Sequence, residues 1–133
     1  MPNSEKILFV DDDPNYRAVL QRAFMGHFPF DIASSGQEAL DWLNTRGPYA
    51  VIVSDLDMTS MNGLELLSKV SVLAPKTVQM VLTGEADFHT FAQVTEGRNI
   101  FRYLAKPCAR EDLRAQLIEC LTQYRIVDSE GLP

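Results

Sequence analysis

Short apolar runs alternate along the chain with segments in which apolar residues recur at helical spacing. The runs lie at residues 7–10, 30–33, 50–53, 78–82 and 100–104. The continuous run at 7–10 is consistent with a strand buried on both faces of a sheet, whereas 30–33 is a weaker strand. The alternation predicts five strand–helix units in series. Such short connections imply a parallel sheet with right-handed crossovers and helices on both faces.

Capping residues and helix breakers mark where the helices begin. Asp13, which precedes a proline, is predicted to be the N-cap of the first helix, and the SSG sequence at 34–36 and the NG sequence at 62–63 open the next two. Two further helices are predicted over residues 87–96 and from about residue 110 onward. The chain is therefore predicted to have an α/β fold with five helices.

Composition narrows the class of protein. The chain has 133 residues and a formal net charge of −6, and its 12 Lys and Arg residues are scattered, which argues against a nucleic-acid interface in this segment. No apolar run approaches the roughly 18 residues of a membrane span. Cys108 and Cys120 lack the spacing of a metal site, so we expect reduced thiols in a cytoplasmic protein. We assign residues 1–127 to one domain and 128–133 to a C-terminal linker or tail.

Polar residues follow four of the predicted strands. Asp11 and Asp12 come after the first strand, Asp55 after the third, Thr83 at the end of the fourth and Lys106 after the fifth. Ligands of open parallel sheets bind beyond the carboxyl ends of the strands. These side chains are therefore expected to share one edge of the sheet.

Three of these residues, Asp11, Asp12 and Asp55, would place carboxylates close together. Two carboxylates about 5 Å apart repel by about 3 kcal/mol at an effective dielectric constant of about 20. A hard divalent cation removes that penalty, and Mg²⁺ prefers carboxylate, phosphate and water oxygens. A carboxylate beside such a cation can attack phosphorus, while the Lys106 ammonium and the Thr83 hydroxyl stabilise the phosphoryl oxygens. The edge therefore predicts phosphoryl transfer to a carboxylate.

The same residues lie in motifs that resemble the receiver domains of two-component response regulators, over about residues 6–124. The acidic pair in ILFVDDDP is Asp11 and Asp12, the phosphoacceptor in VIVSDLDMTSMNGLEL is Asp55, the hydroxyl residue in MVLTGEAD is Thr83, and FRYLAKP supplies the lysine, Lys106, and the switch aromatic, Tyr103. Five anchors in the right order and spacing make the resemblance specific. It implies a flavodoxin-like (βα)5 fold, a doubly wound five-stranded parallel sheet with strand order 2-1-3-4-5.

The resemblance also implies a metal site. Asp12 would bind Mg²⁺ directly and Asp11 largely through water, with Asp55 and the main-chain carbonyl of Asp57 as further ligands. Lys106 would pair with the Asp55 carboxylate and then with its phosphate.

The resemblance further implies a switch and its partners. A sensor histidine kinase or a phosphotransfer protein would donate the phosphoryl group to Asp55, after which Thr83 would move toward the phosphate and Tyr103 would turn inward. The readout surface would comprise the helix over 87–96, the strand over 100–104 and the last helix. That surface would contact a C-terminal output domain outside this segment, or a second copy in a homodimer. Such a protein phosphorylates and dephosphorylates itself but is not a turnover enzyme.

Three further positions near the phosphoacceptor are predicted to affect the site. Thr59 stands where the family usually has proline, which puts the rigidity of the loop in question. Asp57 and Glu85 lie two residues after Asp55 and Thr83. A carboxylate there can hold and polarise the attacking water, so both are predicted to tune the rate of phosphate loss.

Two other interpretations fit parts of the sequence. VIVSDLDMT also resembles the first motif of haloacid-dehalogenase-type phosphatases, with Asp55 as the nucleophile and Asp57 as the general acid. Against this, the acidic pair precedes that motif, and no cap domain or sixth strand fits after Lys106. The third interpretation is a receiver-like interaction module that is never phosphorylated, and the complete set of site residues argues against it.

Overall fold

The computed structural model describes residues 5–84 and 99–130. Its strands and helices, in chain order, are β1 (Ile7–Val10), α1 (Pro14–Phe24), β2 (Phe30–Ala33), α2 (Gly36–Thr45), β3 (Val51–Ser54), α3 (Gly63–Leu73), β4 (Val78–Gly84), β5 (Ile100–Lys106) and α4 (Arg110–Glu130). The helix predicted over 87–96 lies outside the described residues.

The described strands form one parallel sheet in the order β2-β1-β3-β4-β5. This confirms the predicted fold class and strand order. The register pairs Val10 with Ser54, so β1 and β3 end at the same level of the sheet. The residues that follow them, Asp11 and Asp55, therefore leave the sheet side by side.

Each face of the sheet carries its own hydrophobic core. Alternate residues of β1 and β3, such as Phe9 and Val53, pack with α1 and α4 on one face. Their neighbours Leu8 and Ile52 pack with α2 and α3 on the other face. All residues of both strands are buried. A fully buried side chain of this kind contributes roughly 1.5–3 kcal/mol, so the two central strands form a rigid base for the loops at their ends.

The predicted N-caps are formed. The Asp13 side chain accepts the N–H of Asn15 at 2.9 Å, which confirms it as the cap of α1. Ser35 and Asn62 cap α2 and α3 in the same way. Each cap satisfies a backbone donor that the helix itself leaves without a partner.

Several elements are longer than predicted. β4 and β5 continue as far as the Gly84–Lys106 pair, because the parallel ladder persists beyond the apolar run. Helix α4 runs to Glu130, three residues into the segment assigned to the tail. An ion pair of 3.5 Å between Lys76 and Asp128 joins that last turn to the loop before β4. The domain boundary at residue 127 stays a prediction. Among the described residues, no helix is long and apolar enough to cross a membrane.

Candidate functional site

The carboxylates of Asp11 and Asp55 form the centre of the site. Each follows a fully buried central strand, and the N–H of Asp55 donates to the carbonyl of Val10 at 3.1 Å. Asp11 is 3% exposed and Asp55 is 8% exposed. Burial is the largest influence on Asp11 and raises its pKa above the ordinary range, although Lys106 and the N–H of Asp13 oppose that rise. The fold thus holds the Asp11 carboxylate, next to that of Asp55, where its ionisation is costly.

Lys106 bridges the two carboxylates. It is the last residue of β5, and its Nζ lies 2.7 Å from Oδ2 of Asp11 and 3.0 Å from Oδ2 of Asp55. Burial by itself lowers the pKa of Lys106, but the hydrogen bonds and charges of the two aspartates outweigh burial and raise it. The lysine is therefore a fixed positive charge that two carboxylates share.

Thr83 and a backbone amide complete the surroundings of Asp55. Thr83 is fully buried at the carboxyl end of β4, and its Oγ1 donates to Oδ1 of Asp55 at 2.7 Å. The N–H of Asp57 donates to the same oxygen at 3.1 Å. With Lys106 on Oδ2, both oxygens of Asp55 are held by donors. The structure thus brings together Asp11, Asp55, Thr83 and Lys106 as the sequence predicted.

The ring of Tyr16 is a part of the site that sequence reasoning missed. Nζ of Lys106 lies 4.2 Å from the centroid of this ring, which places the ammonium on an aromatic face. Burial is the largest influence on Tyr16 and raises its pKa, and the neighbouring thiol of Cys108 adds to that rise. Tyr16 lies in the first turn of α1 at helical spacing, so its only signal in the sequence was that of a packing residue.

Gly63 explains how α3 comes so close to the phosphoacceptor loop. A Cβ on Gly63 would lie 2.1 Å from the carbonyl oxygen of Asp55 and 2.7 Å from Cα of Leu56. Its N–H donates to the carbonyl of Leu56 at 2.9 Å. The sequence marked this glycine only as the start of a helix. In the fold it is required because no side chain fits between α3 and the loop.

Asp12 is held differently from the other two aspartates. Its Oδ2 accepts the N–H of Thr59 at 3.0 Å, and Oγ1 of Thr59 lies 3.4 Å from the same oxygen. Over residues 5–84 and 99–130, no group of three or more His, Cys, Asp or Glu side chains is arranged to hold a metal ion. A metal site that uses Asp11, Asp12 and Asp55 together therefore stays a prediction.

The remaining predicted residues lie around this centre. Tyr103, on β5, is 48% exposed. Asp57 is exposed beside Asp55. Glu85 lies outside the described residues. The proposed switch aromatic is thus on the outer surface of an edge strand, while its predicted partner Thr83 is buried on the neighbouring strand.

Known proteins resemble this chain over most of its length. The family model of the response regulator receiver domain matches residues 7–118. The DNA-binding transcriptional regulator NtrC of Klebsiella pneumoniae is 32% identical over 117 residues, which cover 87% of this chain and 24% of that protein. The uncharacterized transcriptional regulatory protein YesN of Bacillus subtilis is 28% identical over 127 residues, which cover 92% of this chain and 34% of that protein.

A solved structure agrees with these matches. The crystal structure of an adenylate cyclase from Rhodopirellula baltica has a TM-score of 0.89 and 34% identity, and the match covers 96% of this chain and 94% of that chain. The present chain spans about a third or less of the length of the curated relatives named above. These comparisons lend no support to the haloacid-dehalogenase interpretation.

Proposed function

This chain belongs to the response regulator receiver domain family, and we propose that it receives a phosphoryl group on Asp55 and so acts as a two-component signalling switch. One observation carries the proposal. The Asp55 carboxylate is 8% exposed and is held by Thr83 on one oxygen and Lys106 on the other. A hydroxyl and an ammonium beside a fixed carboxylate are the donors that a transferred phosphoryl group needs.

The proposed transfer is a direct displacement at phosphorus. An oxygen of Asp55 forms the new P–O bond as the P–N bond of a phosphohistidine breaks, and the imidazole nitrogen keeps the electron pair. The phosphohistidine belongs to a sensor histidine kinase or a phosphotransfer protein. Charge in such a transfer spreads over the equatorial oxygens. Lys106 and Thr83 then move their hydrogen bonds from the carboxylate to those oxygens.

The residues present fit a magnesium ion. Asp11, Asp12, Asp55 and the main-chain carbonyl of Asp57 offer hard oxygen donors, which Mg²⁺ prefers. When bound, the cation supplies positive charge that offsets the excess of carboxylates and the charge on the phosphoryl oxygens. This chain's own part is to keep Asp11 and Asp55 adjacent, to hold them with Lys106, and to exclude most of the solvent.

The proposed switch uses Thr83 and Tyr103. If Thr83 leaves Oδ1 of Asp55 to contact the phosphoryl group, the space around its side chain changes, and Tyr103 moves inward from its half-exposed position. The surface of β5 and α4 then differs between the two states and is read by an output domain or a second copy of the chain. Phosphorylation biases a two-state element in this scheme, and the domain stays folded.

Two acidic residues are proposed to limit the lifetime of the phosphorylated state. Asp57 is exposed next to Asp55, where its carboxylate can hold a water molecule for attack in line. Glu85 has the equivalent place after Thr83. Lysine at either position should slow the loss of phosphate. Loss at the wild-type rate or faster in both variants would contradict this role.

The relatives support a place in signalling and indicate more than one kind of output. NtrC and YesN are named as transcriptional regulators, whereas the similar crystal structure is that of an adenylate cyclase. We propose that this chain is a cytoplasmic phosphoacceptor and not a turnover enzyme, and that its own surface does not bind nucleic acid. The net charge of −6 supports the last point.

The nucleophile is tested with a small phosphodonor. Wild type incubated with acetyl phosphate and Mg²⁺ should gain one phosphoryl group by intact-mass measurement, and Asp55→Asn should gain none. Asp57→Asn is the matched control, because it keeps the main-chain carbonyl and should still be labelled. A full phosphoryl adduct on Asp55→Asn would contradict the assignment of Asp55 as the phosphoacceptor. Rapid turnover of added phosphomonoesters would favour a phosphatase.

A further inference from the structure

We infer that Thr59 latches Asp12, so that a divalent cation that takes Oδ2 of Asp12 must displace Thr59 from that oxygen. The inference rests on the proposed function, since that function supplies the reason for a cation at this edge. It concerns how tightly the cation binds and not the phosphoryl transfer itself.

The contact joins two separate parts of the chain. Asp12 follows β1, and Thr59 lies 47 positions later in the loop between β3 and α3. The N–H of Thr59 donates to Oδ2 of Asp12 at 3.0 Å, and the hydroxyl lies 3.4 Å from that oxygen. A backbone donor aimed at a carboxylate gives a charge-assisted hydrogen bond. The carboxylate is thus already occupied by a protein donor.

Asp12 is bonded separately from the other two aspartates of the predicted cluster. Asp11 and Asp55 are bridged by Lys106, while Asp12 is engaged by Thr59. In the part of the chain that the structure describes, no three acidic side chains converge as a metal site. Cation binding and the Thr59 hydrogen bond therefore compete for the same oxygen of Asp12, and the latch must lower the apparent affinity for the cation.

The latch depends on the residue type at position 59. Proline, which the family usually has here, carries no N–H and cannot make the bond. The neighbouring loop residues are anchored on both sides. Met58 is 8% exposed, and Sδ of Met61 would lie only 2.7 Å from a Cβ on Gly36. Thr59 is exposed between these anchors, so Asp12 can leave it without moving the loop, and water can take over the freed N–H.

The expected effect follows from the strength of one hydrogen bond. The bond is charge-assisted but exposed, so its net strength is taken as that of an ordinary hydrogen bond, which changes an equilibrium constant by about five-fold. Thr59→Pro should therefore bind Mg²⁺ about five-fold more tightly than wild type in a calorimetric titration of the metal-free protein. Thr59→Ala keeps the N–H and loses only the long hydroxyl contact, so its affinity should stay within about two-fold of wild type.

A control variant separates the effect of losing the hydrogen bond from the effect of stiffening the loop. Ser60→Pro stiffens the same exposed loop but keeps the N–H of Thr59, and its affinity should not rise. An increase in Ser60→Pro equal to that in Thr59→Pro would overturn the latch in favour of rigidity. Unchanged or weaker binding in a folded Thr59→Pro would overturn it as well.

A second measurement uses the unmodified protein and does not depend on any variant folding. The amide signal of Thr59 should lie downfield in the metal-free protein and move upfield as Mg²⁺ saturates the site. A signal that does not move at saturation contradicts the latch. If Asp55 is still labelled by acetyl phosphate in that case, only the latch is wrong. Loss of both Mg²⁺ binding and labelling in wild type would instead refute the proposed function, and the latch with it.

Discussion

Two lysine-centred clusters lie at opposite ends of the sheet. The carboxyl-edge cluster comprises Asp11, Asp55 and Lys106. The amino-edge cluster comprises Lys6, Asp31, Arg46 and Tyr49, in which Nζ of Lys6 lies 3.9 Å and Nη1 of Arg46 lies 3.7 Å from the Asp31 carboxylate. The Tyr49 hydroxyl also donates to Asp31. Both clusters place an aromatic ring beside the lysine, Tyr16 in one and Tyr49 in the other.

The two clusters differ in which charge is in excess and where that charge lies. At the amino edge two cations share one carboxylate, and the Arg46 side chain is 48% exposed, so water screens the surplus. At the carboxyl edge two carboxylates share one ammonium, and their side chains are only 4% and 10% exposed. A buried surplus of negative charge is costly. Stability alone does not account for it, whereas the proposed binding of a cation and a phosphoryl group would.

The largest contrast is expected from removing each lysine. Lys106→Met should lower the free energy of unfolding by about 3 kcal/mol, because it leaves two buried carboxylates without their shared cation. Lys6→Met should cost less than about 1 kcal/mol, since Arg46 remains on a partly exposed carboxylate. Urea unfolding of both variants in a chelator gives the comparison. Equal losses would mean that the buried surplus of carboxylates is no more costly than the exposed surplus of cations.

Removing a carboxylate should act in opposite directions at the two ends. Asp11→Asn leaves a one-to-one pair between Lys106 and Asp55, so the metal-free protein should be as stable as wild type or about 1 kcal/mol more stable. Asp31→Asn takes the shared partner from Lys6 and Arg46 and should cost about 1 kcal/mol. Chemical denaturation in a chelator measures both. A clear loss of stability in Asp11→Asn would argue that the surplus charge is not a burden on the fold.

The pH dependence of the free energy of unfolding should show the same unfavourable effect of the buried negative charge. Burial raises the pKa of Asp11 above its ordinary value of 3.8. At pH values between 3.8 and the raised pKa, the folded state binds more protons than the unfolded state. The stability contributed by Asp11 is therefore highest below pH 3.8 and falls as the pH rises through the folded pKa. The stability of metal-free Asp11→Asn relative to wild type should therefore grow from about pH 3.8 upward and then level off.

Glu5, at the amino end of β1, provides the control of opposite sign. Its hydrogen bond with Arg125 lowers the pKa of Glu5 below 4.5, so its contribution is present above 4.5 and is lost as the pH falls through the folded pKa. Glu5→Gln should thus lose stability relative to wild type as the pH rises toward and past 4.5. Parallel trends in Asp11→Asn and Glu5→Gln would contradict the assignment of the two environments.

The smallest effects are expected from the two tyrosine hydroxyls. Tyr49 is fully buried, and Tyr49→Phe should cost about 1 kcal/mol because Asp31 loses a donor. Tyr16→Phe keeps the ring beside Lys106 and removes only a hydroxyl near the Cys108 thiol, so it should cost about 0.5 kcal/mol. Thermal melts of both variants decide the order. A larger loss for Tyr16→Phe would mean that the hydroxyl helps to hold the ring in place.

Local patterns in the sequence determined the elements of this fold. The sequence pattern predicted β1 and β2 to the residue, and for β1 the reason is that a strand buried on both faces leaves a continuous apolar signal. Asp13 and Asn62 marked helix starts through the capping chemistry of single residues. The positions of Asp55 and Lys106 after their strands then placed both at one edge. Each of these inferences depends on residues that are neighbours in the chain.

Only the tertiary structure decided how the site residues meet. Lys106 and Asp11 are 95 positions apart, and Asp12 and Thr59 are 47 apart. No local pattern specifies which oxygen a distant donor reaches, because that depends on sheet register, loop path and side-chain rotamers together. The ring of Tyr16 beside Lys106 and the narrow gap at Gly63 are decided in the same way. The sequence by itself thus determined which groups reach the carboxyl edge, and packing determined that Lys106 is shared by two aspartates while Thr59 holds the third.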